Sequence, residues 1–413
     1  MHTKSFCTLL LLSMIIASCN NANQKQSDEN KEETHYKEGS FGYDLGFLKQ
    51  HDSVVLLKSD ERSQIIVSPK YQGKVFTSTA EGNEGVSFGW VNYKAFTGSA
   101  DAHMNAYGGE NRLWLGPEGG KFSLFFKPGS QMVFDNWKTP AAFDTEAWRV
   151  TQKSNDAVVL QKEMNLTNYK GTQMQLVVDR SIKKLNRQQI SSNIGMALDT
   201  AVKAVGYETV NRLTNKGTTA WTEATGMPCM WMLDMFKPSP SSVIIVPFKN
   251  AAGQSFNEVA TTNYFGQIPA DRLKHTDEVL FFKADGKSRG KLGIKPGKAK
   301  PVAGSYDAQN KILTAVTFDV DADAKYLNQE WNTTKPSFSG DAVNSYNDGL
   351  LADGTQMGPF YEIESVSPAA FLQPGQSLSH KHSVFHFTGS EQALDRIAKK
   401  LFGVAVEDIK KAF

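Results

Sequence analysis

From Gln173 to Ile182 apolar and polar residues alternate: Met174, Leu176, Val178 and Ile182 fall on one face, and Gln173, Gln175 and Asp179 on the other. Successive strand side chains point to opposite sides of a sheet, so this segment reads as a strand with one buried and one wet face. Further strand candidates are Ser53–Lys58, Ser63–Val67, Lys74–Ser78, Ser87–Asn92, Phe122–Phe126, Ala157–Met164, Val243–Val246, Ile312–Asp319 and Leu378–Phe387. Gly, Pro, Asn or Asp separate them, as turns require. Convincing helix is confined to the end. Ser390 can cap a segment in which Leu394, Ile397, Ala398 and Leu401 form a stripe closing near Gly403, with a second short helix after it. No repeat or charge block divides residues 39–413, and the spacing predicts one large, mainly β, antiparallel domain there.

The first residues do not fit that domain. His2 and Lys4 open a segment whose apolar stretch, Leu9 to Ile16, is interrupted only by Ser13. It is shorter than the roughly 20 apolar residues of a membrane-crossing helix, and it has the layout of a secretory signal over residues 1–18. Ile16-Ala17-Ser18-Cys19 resembles the lipobox of bacterial lipoproteins, which implies that Cys19 is lipidated and becomes the mature N-terminus. The alternative is an ordinary secreted protein with a chance cysteine. Residues 19–38 are polar almost throughout and read as a flexible tether to a membrane, with the outer membrane of the cell envelope as the expected place.

Charge and cysteine use fit an exported protein. Of three cysteines, Cys7 leaves with the signal and Cys19 carries lipid, so Cys229 has no partner within the mature chain. Loss of Lys4 leaves 44 basic against 43 acidic residues, from 45 and 43 in the whole sequence, a formal +1. That balance points to no nucleic acid.

Three stretches together resemble the galactose mutarotase-like superfamily, which includes the aldose epimerases. They are Ile65 to Val75, with Pro69 and Gly73 in a hairpin; Tyr107-Gly108-Gly109-Glu110-Asn111-Arg112-Leu113-Trp114-Leu115-Gly116-Pro117-Glu118; and Glu362-Ile363-Glu364 followed by Leu372-Gln373-Pro374-Gly375. The second also looks like an uncharacterised group of bacterial lipoproteins within that fold. The resemblance implies an antiparallel β-supersandwich, a carbohydrate ligand, no cofactor, and a glutamate, best matched by Glu364, acting as general base. Tyr107 stands where an epimerase commonly has His before the Gly pair, and no second catalytic histidine is matched. Two functions remain open: a lipoprotein that binds or processes carbohydrate at the cell envelope, or an epimerase or mutarotase using Glu364.

The residues offer chemistry of their own. Glu110, Arg112, Trp114 and Glu118 combine hydroxyl-binding charge with an aromatic ring for the apolar face of a sugar. On a strand, Arg112 and Trp114 would share a face; the alternative is an ion pair of Arg112 with Glu110 or Glu118 and Trp114 in the core. Glu362 and Glu364, two apart, would also share a face, and paired carboxylates can separate in pKa. The alternative is the solvated face of an edge strand. His103 is the candidate proton donor, with Tyr107 as a poorer one, and Trp331 a candidate stacking platform. His380, His382 and His386 share strand parity and could chelate a metal, but no nearby Cys or Asp completes a site. They are expected on the exposed side of the last strand.

Overall fold

The structure is a computed structural model that describes residues 35–58, 62–249 and 252–413. The signal segment, Cys19 and most of the tether lie outside the described residues. Every element below belongs to one compact unit, Tyr36–Phe413.

Among the described residues the strands form three antiparallel sheets. In the larger sheet ten strands follow the spatial order Leu273–His275, Val279–Lys283, Ser242–Pro247, Val302–Asp307, Ile312–Phe318, Ser377–Thr388, Lys203–Asn215, Gln173–Lys184, Ala157–Thr167 and Arg149–Lys153. A second sheet has six, in the order Ala260–Thr261, Gly290–Ile294, Val343–Asn347, Tyr361–Val366, Cys229–Phe236 and Arg112–Gly116. The two pack face to face over one extensive apolar core. A third sheet, of Val55–Lys58, Gln64–Ser68 and Lys74–Thr79, carries the helix Phe41–His51 on its own aromatic cluster.

The mainly β, antiparallel class read from the sequence holds. Gln173–Lys184 buries Met174, Leu176, Val178 and Ile182, with Gln173 and Gln175 exposed. At the end, Ser390 caps Glu391–Phe402, and Gly403 closes it in the left-handed region at φ 75°. Leu394, Ile397 and Ala398 from that helix, with Val406 and Ile409 from the short Val406–Lys410, cover the outer face of the larger sheet.

Two strand candidates fail. Phe122–Phe126 is a series of turns: Leu124 N–H donates to the Pro117 carbonyl and Phe125 N–H to the Ser123 hydroxyl, which leaves no free ladder. Its rings are buried nonetheless, so a Phe-rich run mimicked a strand. Ser87–Asn92 makes only isolated bridges, from Gly89 to Phe236 and from Val91 to Gly108. The helix Arg187–Ile194 escaped notice although Asn186 and Gln189 form a capping box before it.

Candidate functional site

The six-stranded sheet has one face toward the larger sheet and one toward a cavity of about 1220 Å³. Cross-strand register fixes what the cavity face carries. Arg112 lies opposite Leu233 and Trp114 opposite Trp231; Glu362 lies between Met235 and Tyr346; Lys291 lies opposite Tyr346. Because side chains alternate along each strand, all of these point the same way, and all line the cavity. Gly108 and Gly109, at φ 85° and 129°, feed the chain into the first of these strands. A Cβ on Gly108 would lie 2.2 Å from the Trp90 carbonyl oxygen, so only glycine allows this approach.

Two ion pairs form the floor. Arg112 Nη2 donates to Glu362 Oε1 at 2.5 Å, and its guanidinium lies 5.1 Å from the Trp114 ring centre. Neither Glu110 nor Glu118 is the partner of Arg112; a residue 250 positions away is. Lys291 Nζ donates to both oxygens of Glu364, at 3.0 and 2.8 Å, while the Trp231 indole N–H donates to Oε2 at 2.7 Å. Lys291 also sits 4.5 Å from the Trp231 ring centre, a cation–π contact. Both Glu364 oxygens are therefore occupied, and this carboxylate is fully buried behind Lys291.

Glu362 differs. It lines the cavity, and burial, with the Glu364 charge adding, pushes its carboxyl up to about 7 against the pull of Arg112 and Lys291. Across the floor Glu118, partly accessible and hydrogen-bonded to the Trp331 side chain, is also raised, chiefly by burial. The Glu362–Glu364 strand is not a solvated edge: it is paired on both sides, by Val343–Asn347 and Cys229–Phe236.

The remaining candidates divide. Trp331 and His103 line the cavity; His103 Nδ1 is 2.7 Å from the Trp137 carbonyl, and its ring stacks on Phe134. Tyr107 does not line it. Its ring packs with Tyr71 and Phe96 in the cluster beneath the first helix, because Gly108 turns the chain and sends the residue before it to the other side. Glu110 is also outside: fully buried, it accepts from Ser78 Oγ at 2.7 Å and pairs with His386 Nε2 at 3.1 Å.

The expectation that His380, His382 and His386 face solvent is overturned. Ser377–Thr388 runs in the interior of the ten-stranded sheet, and its even-numbered side meets the six-stranded one, so all three are buried. Ser365 Oγ lies 2.8 Å from both His380 Nε2 and His382 Nδ1, and His382 Nε2 lies 2.7 Å from Asp234 Oδ2. A serine, a histidine and an aspartate in line suggest nucleophilic chemistry, yet all three are fully buried between the sheets, on the side away from the cavity. No group of three or more His, Cys, Asp or Glu suited to a metal occurs among the described residues.

Sequence reasoning missed Lys291, Arg289, Phe134 and Trp137 as cavity residues. Lys291 sits in Gly290–Ile294, a strand absent from the sequence candidates, and the carboxylate it meets lies on Tyr361–Val366, with one strand, Val343–Asn347, between them.

Solved structures of similar arrangement include an Escherichia coli K12 protein described as a candidate aldose 1-epimerase, 11% identical, with 81% of this chain and 98% of that one covered at a TM-score of 0.48. The Slr1438 protein of Synechocystis sp. PCC 6803 is 12% identical, with 82% and 96% covered and a TM-score of 0.49. A galactose mutarotase-like protein of Lactobacillus casei ATCC 334 is 10% identical, with 81% and 100% covered and a TM-score of 0.45. No curated protein matches the sequence. The profile described as "Family of unknown function (DUF6786)" matches residues 39–413, nearly all of the chain, and to that family the protein belongs.

Proposed function

We propose that the protein binds carbohydrate in the cavity of the six-stranded sheet, with Glu362 as the group able to exchange a proton with the ligand. The observation that carries this is the floor itself: Arg112–Glu362 beside the Trp114 ring and Lys291–Glu364 beside the Trp231 ring, at the base of a large open cavity. Sugars need such a mixture, since hydroxyls seek charged donors and acceptors while the C–H face of the ring seeks an aromatic surface. Arg112 Nε, buried and without a hydrogen-bond partner among the described residues, is a spare donor for a ligand oxygen.

In this reading Glu364 is a positioning residue that holds Lys291, and Glu362 is the acid or base. A carboxyl that titrates near 7 can both take and give a proton under ordinary conditions. An epimerase-type proton transfer is the second reading, favoured by that raised carboxyl; His103, on the same cavity wall, would be its counterpart. Calorimetric titration with a panel of mono- and oligosaccharides tests binding, and absence of heat from every sugar would sink the proposal. Glu362→Gln separates the two readings: an enzyme loses turnover and keeps binding, whereas a binder shows only a modest loss of affinity.

Export and lipid anchoring through Cys19, with the domain held at the outer membrane, belong to the same proposal and are supported by the Ile16-to-Cys19 run. Cys19→Ala should move the protein from the membrane to the soluble fraction. Membrane association that persists at wild-type level in high salt would rule the anchor out.

A further inference from the structure

We infer that the ligand of this cavity is an oligosaccharide of two or more rings, inserted by one end, with an outer sugar position built from Phe134 and Phe265. The inference rests on the carbohydrate reading above and deepens it.

Size is the first ground. At about 1220 Å³ the cavity exceeds the roughly 300–1,000 Å³ usual for sites that enclose one small molecule. A single pyranose on the Arg112–Glu362 floor would leave most of it to water.

The wall between floor and mouth is the second. Phe134, Trp137 and Trp331 all line the cavity and form a run of near-parallel rings. Their successive centres are 6.1 and 5.9 Å apart, with interplanar angles of 19° and 25°. His103 extends the run, its ring 4.4 Å from that of Phe134. Trp137 is buried, while Phe134 is 58% exposed. Phe265, also on the cavity wall, is 43% exposed, and the Arg289 guanidinium lies 3.9 Å from its ring centre.

A single exposed apolar residue is ordinary and needs no ligand. Two exposed aromatic rings on the wall of one oversized cavity with a charged floor are a different matter. Phe134 is held by a short turn, Phe134–Asn136, in which the Asn136 side chain donates to the Gln131 carbonyl, so its ring is presented at little entropic cost on binding. Rings of this kind suit the successive apolar faces of a sugar chain. The Arg289 guanidinium beside Phe265 supplies donors for the hydroxyls at the edge of such a ring.

The test is titration of the full-length protein with glucose, galactose and their α- and β-linked di-, tri- and tetrasaccharides. Affinity should rise roughly three- to tenfold with each of the first added rings in at least one series. Phe134→Ala, at an exposed position where folding is not at stake, should flatten that rise, and Phe134→Trp should restore it. Monosaccharides bound as tightly as the longer chains overturn the inference and leave the carbohydrate reading standing. So does a length dependence that survives in the Phe134→Ala, Phe265→Ala double variant. Failure of every sugar of every length removes both together.

Discussion

Asn111, Asp234 and Ser365 face the interior of the sandwich, while Arg112 and Leu233, next in sequence to the first two, line the cavity, and Glu364, next to Ser365, lies on that same side of the sheet behind Lys291. Both faces bury charge. On the inner one, Asp234 accepts from Asn111 Nδ2 at 2.6 Å and pairs with His382 at 2.7 Å, and Arg180 is bound by the Gly73 carbonyl, Asn111 and Asn211. Those partners come from both sheets, and they close on one another. On the outer face the pairs are formed along one sheet only, and beyond them lies space. A buried polar network between two sheets fixes how they meet; the same chemistry on a sheet with nothing opposite becomes a place for a ligand.

If that contrast is right, damage to the inner face should be the most costly to folding. Asp234→Ala strands His382 and Asn111 in a dry interior and should lower stability by about 3–5 kcal/mol, read from urea unfolding. A loss below about 1 kcal/mol would mean that the inner network is dispensable, and the contrast would break.

Arg112→Ala acts on the outer face. It should weaken sugar affinity by about 30-fold or more, as expected for a central charged anchor worth roughly 2 kcal/mol or above. Its cost to stability should be smaller than that of Asp234→Ala, because water in the cavity can solvate Glu362. Equal unfolding costs with unchanged binding would place the ligand elsewhere.

The smallest expected effect is a slope in stability with pH. Burial raises Glu362 from 4.5 to about 7, so its protonated form is favoured in the folded chain. Its contribution is fully present below pH 4.5 and is lost as pH rises through 7, a difference of about 1–3 kcal/mol. Asp341, raised by burial from 3.8 to about 6, adds a slope of the same sign at lower pH. Lys74, lowered by burial from 10.5 to about 7, contributes only above 7, where stability should recover. The difference between wild type and Glu362→Gln across pH 4.5 to 7 isolates the one group, and parallel curves would show that Glu362 does not titrate there.

Much of the frame was legible in the chain. Period-two alternation in Gln173–Lys184, and the capped stripe from Ser390 to Gly403, are local patterns whose burial follows from geometry. The Gly108-Gly109 pair and the parities of Arg112 with Trp114 and of Glu362 with Glu364 were legible for the same reason. Where reading failed, the missing information was distant. Phe122–Phe126 is apolar enough for a strand, yet its backbone is claimed by Pro117 and Ser123. The last histidines have the parity of one face, but parity cannot say whether that face meets water or a second sheet.

Sequence alone determined which side chains travel together: Arg112 with Trp114, Glu362 with Glu364, His380 with His382 and His386. Alternation along a strand is set by backbone sterics and needs no partner. Tertiary structure decided what each set meets. Arg112 found Glu362 across 250 residues, Lys291 took both oxygens of Glu364, and Glu110 was drawn into the interior by Ser78 and His386. Such pairings depend on strand order and on which face is covered. Both follow from the burial of apolar surface over the whole chain, which no single segment encodes.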